Sequence, residues 1–159
     1  MREQPKYKIP QRGITVWRIY GVLQTLFFTV LAGVATFLTF KFEWPFYIYI
    51  IAWGIVVLTI ILLIWLFPNI RHNIWRYEVR EQEIEIQSGL FVVTRTLIPM
   101  VRVQHVDTEQ GPILKKYGLS NISISSAATT HTIPFLEMHE ADRLRARISE
   151  LARVAEEDV

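Results

Sequence analysis

IYGVLQTLFFTVLAGVATFLTF, residues 19–40, and WPFYIYIIAWGIVVLTIILLIWLFPNI, residues 44–70, decide the fold: neither run holds a charged side chain. The first is 22 residues long and the second 27. A hydrocarbon core of roughly 30 Å takes about 20 apolar residues in a helix, so each run is long enough to cross a bilayer. The rest of a 159-residue chain is too short to cover two such cylinders on all sides. A cleaved signal peptide is a poor description of the first run. Its apolar stretch exceeds the roughly 7–15 residues of such a segment, and Leu38-Thr39-Phe40 is no small-residue cleavage site. Only Lys41, Phe42 and Glu43 separate the runs, which predicts a helical hairpin with a short outer loop.

Working outward, the flanking charges set orientation. Residues 1–18 carry Arg2, Lys6, Lys8, Arg12 and Arg18 against Glu3, and Arg71, Arg76 and Arg80 follow the second run. Basic residues mark the cytoplasmic side, so both termini are expected inside. Trp17, Tyr20, Trp44, Tyr47, Trp65 and Trp75 lie at or near the span ends, where amphipathic rings favour the headgroup zone. The chain has no cysteine, which excludes disulfides and thiolate metal sites and fits a reducing cytosol. Residues 71–159 hold 11 basic and 13 acidic side chains, a net −2, so the folded part lacks the basic stripe of a nucleic-acid binder. The expected organisation is a basic cytoplasmic tail (1–16), two transmembrane helices (17–70, about 17–40 and 44–67) and a cytosolic domain (71–159). Within the first span Thr25, Thr29, Gly33 and Thr36 recur at helical spacing, a small-residue stripe suited to helix–helix packing. Pro68-Asn69 marks the expected end of the second helix.

After Arg71 the period shortens to two. Trp75, Tyr77 and Val79 alternate with charged residues, as do Ile84 and Ile86, with Glu81-Gln82 as the turn between these strands. Ser88-Gly89 signals another turn, Leu90 to Ile98 a third strand, and Val101 to Val106 a fourth. Ile113 to Tyr117 reads as a helical turn closed by Gly118. Ile122 and Ile124 head a fifth strand, and His131 to Phe135 form a sixth, which Pro134 confines to an edge or an end. Ala141, Leu144, Ile148, Leu151 and Ala155 make one stripe of a terminal amphipathic helix. The fold class is α+β: a two-helix transmembrane hairpin, then a barrel or curled antiparallel sheet capped by that helix.

Several short motifs stand in order: Ser88-Gly89-Leu90, Arg95-Thr96-Leu97-Ile98-Pro99, Val103-Gln104-His105-Val106-Asp107, Gln110-Gly111-Pro112-Ile113-Leu114, Tyr117-Gly118-Leu119 and Ile133-Pro134. Together they resemble the type-2 family of bacterial pleckstrin-homology-like domains, over about residues 70–153. Two helices ahead of one such domain resemble the small YdbS-like membrane proteins. The resemblance implies a pleckstrin-homology-like barrel, bacterial origin, no known enzymatic activity, and for some members a larger companion membrane protein with several such domains. One departure is visible. Phe135-Leu136 stands where the pattern expects Gly-Leu, which bears on the chain path into the last helix.

Gln104, Asp107 and Gln110, polar groups near a strand end, are candidates for partner contact, with loop bracing as the plainer role. Arg95, Arg102, Lys115 and Lys116 are candidates for lipid headgroup contact, with solvated surface charge as the default. His72, His105, His131 and His139 show no helical zinc spacing, so no metal site is expected. His105, Asp107 and Ser125 supply the residue types of a nucleophilic triad, but no nucleophile elbow accompanies them. No phosphate loop and no cofactor motif appear. The expected function is a non-catalytic, membrane-tethered interaction or assembly module. Its expected partner is itself, as a homo-oligomer, or a related membrane protein with the same kind of domain. The alternative is an anionic-lipid-sensing component of envelope stress or antimicrobial-peptide resistance; nucleic acid is not an expected partner.

Overall fold

Ile19 to Phe40 falls within one continuous helix, α1 (Arg12–Lys41), in a computed structural model that describes residues 4–127 and 129–157. After the connection at residues 42–46, the second apolar run forms α2 (Tyr47–Thr59), a π-helical segment (Ile60–Leu66) and α3 (Phe67–Ile74) without a break. The helix therefore passes Pro68-Asn69, where the sequence pattern placed its end, and stops at Ile74. The reason is local. Proline lacks an N–H and its ring opposes the carbonyl four residues back, which a regular α-helix cannot absorb. Here the preceding turns are wider: the Phe67 N–H reaches the Leu62 carbonyl, five residues back. The Asn69 side-chain amide donates to the Trp65 carbonyl at 2.8 Å.

The chain divides into two compact units, residues 14–70 and a second formed by the residues up to Gly13 with those from Arg71 onward. In the first unit α1 packs on the second apolar helix. A β-carbon on Gly21 would sit 2.5 Å from the Leu63 carbonyl oxygen, so glycine is what lets the two backbones meet. Thr25, Ala32 and Thr39 are buried along the same helix, and the Trp53 Nε1–H donates to Thr36 Oγ1 at 3.2 Å. Of the expected stripe, Thr25 is buried and Thr29 and Thr36 are half-buried. Gly33 is exposed, with no atom within 4 Å of the position its β-carbon would take. Leu26, Phe27, Val30, Phe37, Ile51 and Leu58 all point outward and are more than half exposed. A water-soluble monomer does not display so continuous an apolar surface.

The second unit begins in what read as a tail. Tyr7–Lys8 form β1, hydrogen-bonded antiparallel to β2 (Arg76–Val79), with Pro5 and Ile9 fully buried beside it. The helical hairpin is thus inserted between two neighbouring strands of one sheet. That sheet continues with β3 (Glu83–Gly89) and β4 (Val93–Pro99), in the order β1-β2-β3-β4. A single 3-10 turn (Met100–Arg102) leads to β5 (Val103–Glu109), α4 (Pro112–Lys116), β6 (Leu119–Ser126) and β7 (Thr130–Glu137), a second sheet of order β5-β6-β7. Among the described residues seven strands replace the six expected. Leu90, expected to open the third strand, lies instead in the turn before β4. The helix α5 (Met138–Glu157) buries Ala141 and Ile148 against the common core of Tyr77, Ile84, Ile86, Ile98, Ile122 and Ile124, and Leu144 and Leu151 pack on its margin. The two sheets are not hydrogen-bonded to each other, so the domain is a curled pair of antiparallel sheets, capped by α5, and not a closed barrel.

Phe135 has φ 59°, a left-handed backbone that favours glycine. The strand bulges there, because Ser120 faces Leu136 but Ile122 faces Ile133. The Phe135 N–H, turned out of the ladder, donates to Asn121 Oδ1 at 3.1 Å. The resemblance noted from sequence led to an expectation of glycine here, and the backbone is indeed one that glycine favours.

Candidate functional site

In β2, β3 and β4 the alternate residues Tyr77, Ile84, Ile86 and Ile98 face the core, so their neighbours form the outer surface of the sheet. Two cross-strand rows run over it. Glu78, Glu85 and Leu97 make one; Arg76, Gln87 and Arg95 make the next. Glu85 is 2 % exposed although it lies on this face. A carboxylate so buried needs compensation, and two guanidinium groups supply it. Arg80 Nη2 lies 3.2 Å from Glu85 Oε2 and Arg95 Nη1 lies 3.9 Å from Oε1. Arg80 also bonds Glu78 at 2.9 Å and Glu83 at 3.1 Å. The Arg95 Nε–H donates to Gln87 Oε1 at 2.9 Å, and the Gln87 amide in turn donates to the Ile74 carbonyl. The network ties the outer face to the last residue of the helix. Beside it, β4 is an edge strand of seven residues, with Val93 and Leu97 about half exposed on the same face.

A second feature is a groove of about 730 Å³ where the chain passes from one sheet to the other, lined by Arg102, Gln104, His105, Ser126 and Ala152 among others. Gln104 is presented there because it is the extra residue of a bulge: Val103 faces Ser126, and His105 faces Ser125. A smaller cavity of about 430 Å³ lies between the β1-β2 edge and α5. In it the Tyr77 hydroxyl donates to Glu140 Oε1 at 2.9 Å and the ring stacks on Tyr7, centroids 5.7 Å apart. Burial, and then the Glu140 carboxylate, push the Tyr77 hydroxyl well above its ordinary range.

The residues singled out from sequence are dispersed. Gln110 braces a loop, its amide donating to the Leu119 carbonyl at 2.8 Å, while Gln104 lines the large groove and Asp107 sits exposed on the outer face of β5. Of the four basic candidates, Arg95 is engaged with Glu85 and Gln87. Arg102 precedes β5, whereas Lys115 and Lys116 follow it. A seven-residue strand spans about 20 Å, so these side chains do not form one rim. His105 faces Ser125 and Asp107 faces Ser123, yet the serine hydroxyls are taken up by Thr130 at 3.0 Å and Thr132 at 3.3 Å. No group of three or more metal-ligating side chains occurs among the described residues. Sequence reasoning missed the burial of Glu85 and placed the β3–β4 turn at Ser88-Gly89, short of its position at residues 90–92. The charge of Glu85 fitted an exposed alternation, and the β-branched residues after Leu90 disguised the turn.

The family model described as bacterial PH domain matches residues 19–152. This chain belongs to that family. The match takes in the second apolar helix, most of the first, and β2 to β7, but not β1. The chain is also 51 % identical over 159 residues to the UPF0699 transmembrane protein YdbS of Bacillus subtilis (strain 168), covering 100 % of each. No solved structure matches it. With two exposed apolar helices and a transmembrane relative aligned end to end, this bacterial PH domain protein is a membrane protein.

Proposed function

We propose that this chain is a non-catalytic membrane-tethered assembly module whose β4 edge and adjoining outer face receive a second domain of the same kind, from another copy or a related membrane protein. The β4 edge carries the reading. A seven-residue extended strand with one side unpaired offers main-chain donors and acceptors for strand addition. Its outward Val93 and Leu97, 51 % and 44 % exposed, add apolar area. Soluble proteins blunt such an edge with lysines; this one has none on β4. The headgroup-sensing alternative has less support, because Arg95 is already paired and Arg102 lies far from Lys115 and Lys116.

In this reading the chain crosses the bilayer twice. Both flanks of the hairpin belong to one folded unit and so share a compartment, and the flanking basic residues assign it to the cytoplasm. The test is purification from native membranes in mild detergent, with the wild type beside a Val93→Lys/Leu97→Lys double variant. The wild type is expected as a dimer or larger complex, or with a co-purifying PH-like membrane protein. The variant, altered only at exposed positions, is expected as a lone chain. A wild type that runs alone, or a variant that keeps its complex, would overturn the proposal.

A further inference from the structure

Phe91 and Val92 are 82 % and 76 % exposed, more than any large apolar side chain exposed on the helices, of which Phe40 at 74 % is the highest. They occupy the tip between β3 and β4. The loop has a fixed shape: Gly89 has φ 151°, and any β-carbon there would collide with the Val92 carbonyl oxygen, so the chain folds back tightly over it. This holds two large apolar side chains at the end of the sheet. Which end it is follows from register. Gln87 pairs with Arg76, the first residue of β2, so Ser88, Gly89 and the tip extend beyond the start of β2. The Gln87 amide reaches the carbonyl of Ile74, where the second apolar helix ends. The tip therefore projects from the end of the sheet at which the chain arrives from the membrane-spanning helix. At about 3.3 Å per residue, Phe91 stands roughly 10–15 Å past the Arg76 row. Lys8 and Arg76 face each other across β1 and β2 in that row.

We infer that the Phe91-Val92 tip inserts into the interface of the bilayer that the chain itself spans. Apolar side chains lead and basic side chains stand behind them, the order in which the acyl boundary and the phosphate layer meet a protein approaching from water. The covalent tether keeps the local concentration of this bilayer high, so a two-residue anchor too weak to recruit a free domain is enough to orient a tethered one. Insertion would fix how the β4 edge is presented to neighbours in the membrane plane. The inference rests on the membrane reading and is independent of the assembly proposal.

The experiment uses the full chain, whose lack of cysteine makes single-site labelling clean. Phe91→Cys, Val92→Cys, Glu81→Cys in the opposite turn and Phe37→Cys on the first apolar helix each receive a nitroxide. The proteins are reconstituted in vesicles of phosphatidylcholine and phosphatidylglycerol. Accessibility is read against oxygen, which partitions into lipid, and a polar nickel complex, which does not. Labels at 91 and 92 are expected to share the oxygen-rich, nickel-poor signature of position 37, with a several-fold difference from position 81. A Phe91→Asp change is expected to return the label at 92 to the signature of position 81 without altering complex size. Water-like labels at 91 and 92 beside a lipid-like label at 37 would overturn the tip proposal alone, leaving the span intact. Labels shielded from both reagents would also overturn it, in favour of a protein partner.

Discussion

Phe135 shows how a single residue carries a conflict between backbone and side chain. Its left-handed backbone costs about 1–2 kcal/mol for a residue with a β-carbon, yet its ring is buried at 5 % exposure, with atoms 3.0 Å from where a β-carbon on Gly13 would lie. Removing a buried phenylalanine costs roughly 3–5 kcal/mol, so the ring wins and Phe135→Gly is expected to destabilise. The sharper expectation compares Phe135→Gly with Phe135→Ala. Both lose the ring, but only glycine sheds the strain, so the glycine variant should unfold at the higher temperature in detergent, by about 1 kcal/mol. An alanine variant as stable or more stable would contradict the left-handed backbone. Tyr77 supplies a second expectation at this scale. Its hydroxyl pKa is raised in the folded state by burial and then by Glu140, from the ordinary 10.0. A group raised on folding contributes stability that is complete below the unfolded pKa and is lost as pH rises beyond it. Alkaline titration of stability should therefore fall above about pH 10, and Tyr77→Phe should flatten that fall.

Among the elements, the helices and most strands were legible because period alone reports them. Uncharged runs of 22 and 27 residues admit one structure in lipid, and the alternation at Ile84-Ile86 and Ile122-Ile124 put the correct faces inward. What failed depends on contacts that no local pattern encodes. Pro68 carries the usual signal of a helix end, and only the π-helical turns ahead of it let the helix continue. Gly33 and Gly21 are equally small in sequence, but only Gly21 meets a partner backbone. The candidate site was the least legible part, since Glu85 looked like any solvent-facing residue of an alternating strand. The glycine pair yields a direct measurement. Gly21→Ala must push α1 off the Leu63 carbonyl and is expected to lower the melting temperature in detergent. Gly33→Ala enters open space and should be neutral, or slightly stabilising through helix propensity of up to about 1 kcal/mol. Equal effects at the two positions would mean that the helices do not close at Gly21.

For the molecule as a whole, the decisive feature is that its folded domain is discontinuous. β1, with Pro5 and Ile9, comes from before the hairpin and joins β2 from after it. The segment is short, and a two-residue strand has no period to detect, so sequence reasoning could read only its charge. Its packing gives it structural weight: Ile9 is 2 % exposed, and Ile9→Asp would bury a carboxylate with an expected loss of several kcal/mol. The same connectivity constrains topology more firmly than counting lysines and arginines does. Strand pairing between residues 7–8 and 76–77 requires both to lie on one side of the membrane, so the apolar helices between them cross an even number of times. In the proposed two-span topology the short connection at residues 42–46 is the only described part of the chain on the far side. Single cysteines test this in a chain that has none of its own. In intact cells, a membrane-impermeant maleimide should label Phe42→Cys, in the connection, and spare Lys8→Cys and Glu157→Cys. Permeabilising the membrane should expose the latter two together. Labelling of Lys8→Cys and Glu157→Cys from opposite sides would break the β1-β2 pairing and with it the single domain. Labelling of both from outside would keep the domain whole but reverse the orientation that the basic residues predict.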